Sequence, residues 1–143
     1  LIFLDTNVVS ETLKPAPDPQ VIDWLIAHDA ELALPSMTLA EMAYGIARIR
    51  PEQRAERLAR GLAAWRERFA GRIFPVDERV ALSYGEIMGQ AARSGRPMSI
   101  PDGMIAATAK THSGTLATRN IADFRSAGVD LVDPWLIAGV QEP

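Results

Sequence analysis

Apolar and polar positions along this chain follow two different periods. Short apolar runs at Leu1–Leu4, Glu31–Leu34, Arg72–Val76, Thr115–Thr118 and Val129–Val132 are closed by polar or turn-forming residues, and they predict strands. Between them the apolar residues recur at three- and four-residue spacing, which predicts helices. Val21, Ile22, Leu25 and Ile26 mark one over Pro19–His28, and Leu39, Met42, Ile46 and Ile49 mark another over Met37–Ile49. Leu58, Leu62, Trp65 and Phe69 form the stripe of a helix opening at Pro51, and Val80, Tyr84, Ile87 and Ala91 that of Glu78–Arg93. Val8–Leu13 predicts a short helix stopped by Lys14-Pro15-Ala16-Pro17, and a brief helix is expected near Asn120–Phe124. Ser94-Gly95-Arg96-Pro97 reads as a turn, and Pro101–Thr111 as an Ala-rich helix, apolar almost all round, that packs beneath a sheet. Strands alternating with helices predict a three-layer α/β domain with a short, mainly parallel sheet, occupying 1–143 as one unit. Ligands in such folds bind beyond the carboxyl ends of the strands.

Composition agrees and narrows the possibilities. Charged residues make up 23% of the chain and hydrophobic residues 48%, which argues against disorder. There is no cysteine, so disulfides and thiolate metal sites are excluded, and a reducing cytoplasm is the expected location. No apolar stretch is long enough to span a bilayer, and the opening at Leu1 without Met reads as a missing first residue. The net charge of −3 hides a local excess of cations: Arg48, Arg50, Arg54, Arg57, Arg60, Arg66, Arg68, Arg72 and Arg79 face only five acids in the same stretch. That excess could track a phosphate backbone, or it could be a solvated helix face laced with Glu–Arg pairs.

Four acids, Asp5, Glu41, Asp102 and Asp123, sit where an apolar run meets a polar turn or a helix start. Each has a local explanation. Thr38-Leu39-Ala40-Glu41, Ser99-Ile100-Pro101-Asp102 and Asn120-Ile121-Ala122-Asp123 all have the spacing of a capping box, and Asp5-Thr6-Asn7 can open a helix. A second explanation covers all four together, because an α/β fold gathers such positions at one edge of its sheet. Converging carboxylates repel by roughly 3 kcal/mol per pair at ~5 Å and an effective dielectric of ~20. A divalent cation would neutralise them, and oxygen-only ligands favour Mg²⁺ or Mn²⁺ over zinc. Caps and ligands are compatible roles. His28 and His112 lack metal-ligand spacing, no serine sits in a nucleophile-elbow setting, and no glycine-rich phosphate loop is present.

The stretch Leu1-Ile2-Phe3-Leu4-Asp5-Thr6-Asn7-Val8 resembles the opening of PIN-domain ribonucleases, in which a strand delivers the first metal-binding aspartate. The likeness continues through Thr38 and Glu41, through Ile100-Pro101-Asp102-Gly103-Met104-Ile105-Ala106-Ala107, and through Leu116-Ala117-Thr118-Arg119-Asn120 to Asp123-Phe124. The closing Asp133-Pro134-Trp135 looks like the FitB-like subgroup of bacterial VapC-type toxins. The motifs lie in order across essentially the whole chain. Many members of the family carry an acid where this chain has Asn120.

The resemblance implies a PIN fold, Mg²⁺- or Mn²⁺-dependent endoribonuclease activity, a homodimer and a cognate antitoxin whose tail occupies the acidic groove. On this reading Asp5, Glu41 and Asp102 bind the first cation, and Asp123 completes a second site or positions the attacking water. Thr6, Asn7 and Thr118 orient the carboxylates, Ser99 and Asn120 share that duty or contact phosphate, and Arg48 and Arg119 are candidates for binding RNA. The Leu58, Leu62, Trp65 and Phe69 stripe is either core or a dimer contact. The principal alternative is a catalytically inactive PIN-like module that binds a protein partner. A receiver-type phosphoryl-transfer domain fits poorly, because Thr6 and Asn7 follow Asp5 where a paired acid is needed, and Arg119 stands where a lysine is.

Overall fold

The computed structural model describes residues 1–136; positions 137–143 of the expected domain lie outside the described residues. Five parallel strands, β1 (Ile2–Leu4), β2 (Leu32–Pro35), β3 (Ile73–Phe74), β4 (Thr115–Ala117) and β5 (Asp130–Val132), form one sheet in the order β3-β2-β1-β4-β5. The connecting helices are α1 (Thr6–Thr12), α2 (Pro19–Ala27), α3 (Ser36–Arg48), α4 (Gln53–Arg68), α5 (Glu78–Arg93), α6 (Ile100–Thr111) and the short α7 (Ile121–Phe124). Two 3₁₀ turns, Asp29–Glu31 and Arg125–Ala127, complete the described chain.

Side-chain alternation along the strands divides the core into the two layers that flank the sheet. Leu4, Leu32, Leu34 and Ala117 face one side, packed with Val8, Trp24, Met42, Leu62 and Phe69 from α1 to α4 and the turn after it. Phe3, Ala33 and Leu116 face the other, against Val80 and Ile87 of α5, Ile105, Ala106 and Ala109 of α6, and Phe124. Gly103 permits the close α5–α6 approach, because a Cβ there would lie 2.5 Å from Met88 Sδ and 2.9 Å from Tyr84 Cε1. The Leu58, Leu62, Trp65 and Phe69 stripe is core: Leu62 and Phe69 are buried, and Leu58 and Trp65 pack against the same cluster.

Most predicted elements are present, and the boundary shifts have local causes. The strand expected over Arg72–Val76 shortens to Ile73–Phe74, because Pro75 has no amide to give the ladder. The helix expected from Pro51 starts at Gln53, leaving Glu52 as its N-cap. Strand β2 runs through Pro35 straight into α3 at Ser36, so Thr38 lies inside the helix and the capping box expected at Thr38–Glu41 does not form. The Thr38 hydroxyl, fully buried, instead donates to the Leu4 carbonyl at 2.9 Å.

Strand order reverses between β1 and β4, which opens the switch-point crevice at their carboxyl ends. Helices α1 and α3 leave that edge, and α6, which precedes β4, begins there. The topology alone therefore brings Asp5, Glu41 and Asp102 to one rim.

Candidate active site

Asp5 follows β1 directly and is 4% exposed. It caps α1, accepting the Thr6 amide at Oδ1 (2.8 Å), while Oδ2 accepts the Thr118 hydroxyl at 2.7 Å and Asn7 Nδ2 at 3.2 Å. Thr118, fully buried after β4, also receives the Asn120 amide at 3.0 Å and lies 3.4 Å from Asn7 Nδ2. The first aspartate is thus locked between two neighbouring parallel strands. Burial pushes its carboxyl up to about 6; the Thr118 and Thr6 hydrogen bonds oppose the rise, and repulsion from Asp102 and Glu41 adds to it.

Glu41 lies one turn into α3, and its Oε1 accepts the Thr6 hydroxyl. Gly45, one turn further on, has no atom within 4 Å of where a Cβ would stand, so the space beside the carboxylate is open. Asp102 opens α6, whose N-cap Ser99 accepts the Asp102 amide at 3.3 Å. Its carboxyl is raised by burial, lowered by a hydrogen bond from Ser99, and raised again by Glu41 and Asp123. Asp102 is thus coupled to all three other acids: its charge raises Asp5, and Glu41 and Asp123 raise it.

A cleft of about 420 Å³ is lined by the acids Asp5, Glu41 and Asp102 with Thr6, Asn7 and Asn120, and also by Lys14, Arg119 and Trp135. Asp123 is exposed and lines the adjoining groove with Ser99, Ser126 and Arg96; Asp102 borders both cavities. Arg48 stands apart from the cleft, its guanidinium 5.9 Å from the Tyr44 ring centroid. The nine clustered arginines do not line it either. Several are engaged locally: Arg54 with Glu52, Arg60 with Glu56, Arg68 with Asp29, Arg57 with the Leu13 carbonyl and Arg72 with that of Asp29. Of the two readings of that cluster, the paired helix face is the one the contacts favour. His28 bonds the Trp24 carbonyl and His112 stacks on Phe3, both away from the site.

Sequence reasoning missed Lys14, Glu11 and Trp135. Glu11 is 5% exposed, accepts Lys14 Nζ at 2.7 Å and the Asp18 amide at 2.9 Å, and its carboxyl is lowered, chiefly by the hydrogen bond from Lys14. Its three-residue spacing to Lys14, just past the end of the predicted Val8–Leu13 helix, was the available signal.

Among the described residues none of the four acids makes an ion pair, and no three His, Cys, Asp or Glu side chains already stand close enough to enclose an ion. The donor chemistry nevertheless fits a hard divalent cation: all-oxygen, mutually repelling, and including one carboxylate that burial penalises when charged. Closing on an ion takes side-chain rotation, for which partly exposed Glu41 and Asp102 have room.

Comparison with known proteins agrees with this geometry. The family model described as "PIN domain" matches residues 2–129. The chain is 41% identical to "Toxin FitB" of Neisseria gonorrhoeae over 142 residues, covering 94% of this chain and 99% of that one. It is 39% identical to "VapC ribonuclease Y4jK" of Sinorhizobium fredii, covering 94% and 98% respectively. Its fold superposes on the crystal structure of FitAcB from Neisseria gonorrhoeae with a TM-score of 0.86 at 40% identity, covering 94% of this chain and 99% of that one.

Proposed function

The chain belongs to the PIN-domain family, and on that premise we propose that it is a metal-dependent endoribonuclease serving as the toxin of a toxin–antitoxin pair. The single observation that carries the reading is the convergence of Asp5, Glu41 and Asp102 on one cleft without a cationic partner among the described residues. The names of its relatives, a toxin and a ribonuclease, support the assignment. An inactive binding module would have no use for three carboxylates gathered in one cleft.

Asp5, Glu41 and Asp102 would hold Mg²⁺ or Mn²⁺, with Asp123 at the edge of the site. Such a cation supplies a nucleophile from bound water at neutral pH and neutralises charge on the phosphate and its leaving oxygen. The chain's own residues supply orientation. Thr118, Asn7 and the Thr6 amide fix both oxygens of Asp5, and the Thr6 hydroxyl fixes one oxygen of Glu41. Thr6 therefore ties two of the acids to one another. Ser99 steadies Asp102, and Asn120, exposed at the rim, is available to a phosphate.

The partners that follow are RNA, a cognate antitoxin that masks the acidic cleft, and a second copy of the chain. No helix among the described residues is long and apolar enough to cross a membrane, and cytoplasmic RNA is the expected substrate pool. The experiment is incubation of a mixed bacterial RNA pool with purified protein in Mg²⁺, in Mn²⁺ and in EDTA, alongside Asp102→Asn. Metal-dependent cutting that the variant abolishes is the expected result. No cutting in either metal by folded, antitoxin-free protein would move the assignment to a binding module.

A further inference from the structure

We propose that Lys14 and Arg119 form a two-pronged clamp for an RNA phosphate at the mouth of the acidic cleft, each cation held in place by its own partner. The inference rests on the nuclease reading and extends it to how the substrate is gripped. Both side chains are exposed and both line the cleft that contains Asp5, Glu41 and Asp102.

Each prong is built rather than free. Lys14 Nζ lies 2.7 Å from Glu11 Oε1, and Glu11 is anchored from behind by the Asp18 amide on its other oxygen. A nearly buried carboxylate is costly unless it is paired and hydrogen-bonded. Here it fixes a lysine whose side chain remains 56% exposed and so keeps donors for a ligand. Arg119 lies with its guanidinium 4.9 Å from the Trp135 ring centroid, and its amide donates to Asn7 Oδ1 at 3.3 Å. Asn7 also touches Asp5, so the backbone that carries this arginine is tied to the acidic floor. Among the described residues no carboxylate pairs with Arg119, which leaves its planar fork of donors for a phosphate.

Glu11, Lys14 and Arg119 line the same cleft as the acids, and both cations act on Glu11. A polymer of phosphodiesters can place one phosphate at the acids, where the cation they would hold offsets the repulsion, and a neighbouring one between the prongs. An acidic peptide has no such reason to lie across three carboxylates, so RNA is the ligand this arrangement favours.

The test is fluorescence anisotropy of a labelled single-stranded RNA oligonucleotide on full-length Asp102→Asn protein in EDTA, in which cutting does not run, across a salt series. Arg119→Gln and the paired change Glu11→Gln with Lys14→Gln remove one prong each; the pairing avoids stranding a buried charge. Each should weaken binding about fivefold and flatten the log affinity against log salt slope by about 0.7, and together by about 1.4. Arg119→Lys and Lys14→Arg should restore the slope. Folded variants with the parent's affinity and slope would overturn the clamp, and so would weaker binding at an unchanged slope, which would mark a packing role. RNA binding that survives while a partner protein's binding is lost would give the cations to a protein ligand instead. Should the parent fail to bind RNA at all, the clamp falls, while the nuclease reading stands or falls on the cleavage assay with metal; parent binding matched by every variant likewise removes the clamp alone.

Discussion

The buried hydroxyl of Thr118, at the end of β4, donates a 2.7 Å hydrogen bond to Oδ2 of Asp5, at the end of the neighbouring strand β1. The two residues lie 113 positions apart in the chain, and parallel pairing of Leu4 with Ala117 is what makes them adjacent. This contact is the strongest influence holding the Asp5 carboxyl down against burial. Thr118→Val keeps the shape and removes the donor. A hydrogen bond to a charged group contributes roughly 1.5–3 kcal/mol. The variant should therefore be destabilised by about that amount above pH 7 and should have an Asp5 pKa higher than in the parent. Thr118→Ser should recover most of both. Denaturant unfolding at neutral pH checks the first, and titration of the Asp5 carboxyl by NMR the second; an unchanged pKa in Thr118→Val would sink this account.

The raised pKa of Asp5 fixes the sign of a pH effect on stability. Between its ordinary value of 3.8 and about 6, the folded chain holds a proton that the unfolded chain has lost. Stability linked to this group is thus full below pH 4, declines as pH rises to about 6, and stays lost above that. The displacement corresponds to about 3 kcal/mol. Asp5→Asn cannot ionise, so relative to the parent it should gain stability between pH 4 and pH 7.5 in EDTA. Urea unfolding of both proteins at the two pH values tests this. A variant that tracks the parent at both would mean that the carboxyl is not penalised when charged.

Much of the site was readable before the fold was known, and for a physical reason. Asp5 follows four apolar residues, and Asp102 opens a helix with no polar face, so the pattern that buries their elements also brings both acids to the sheet edge. Thr38 was misread because a capping box is a purely local signal, whereas the start of α3 is set by β2 running into it through Pro35. The cations were harder to read. Nine arginines dominate the charge pattern, yet sequence spacing does not say that α4 lies away from the cleft, and Lys14 was hidden in a stretch that reads only as a helix stop. Glu11 and Trp135 matter through contacts made after folding.

Thr38 supplies its own test. Its hydroxyl fastens α3 to the last carbonyl of β1, and so sets Glu41 relative to Asp5. Thr38→Val leaves the Leu4 carbonyl without that donor in a fully buried position, at a cost of about 1–3 kcal/mol, whereas Thr38→Ser should cost under about 1 kcal/mol. RNA cutting should fall further in Thr38→Val than the loss of folded protein accounts for. Cutting that scales only with the folded fraction would reduce Thr38 to a packing residue.

The four acids should not be equivalent. Asp102 borders both cavities and is raised by Glu41 and by Asp123, whereas Asp123 is exposed and lies only in the adjoining groove. A cation held by Asp5, Glu41 and Asp102 binds the folded chain alone, so it should raise the melting temperature as its concentration exceeds its dissociation constant. Asp102→Asn should abolish both that Mg²⁺-dependent rise and the cutting of RNA. Asp123→Asn should keep most of the thermal shift and lose only part of the activity, on the order of tenfold, as expected for an outer group that orients rather than ligates. Thermal scans with and without Mg²⁺, run beside cleavage assays on the same preparations, separate the two. Equal loss of the thermal shift in both variants would make Asp123 a full ligand, and an undiminished shift in Asp102→Asn would move the cation away from α6.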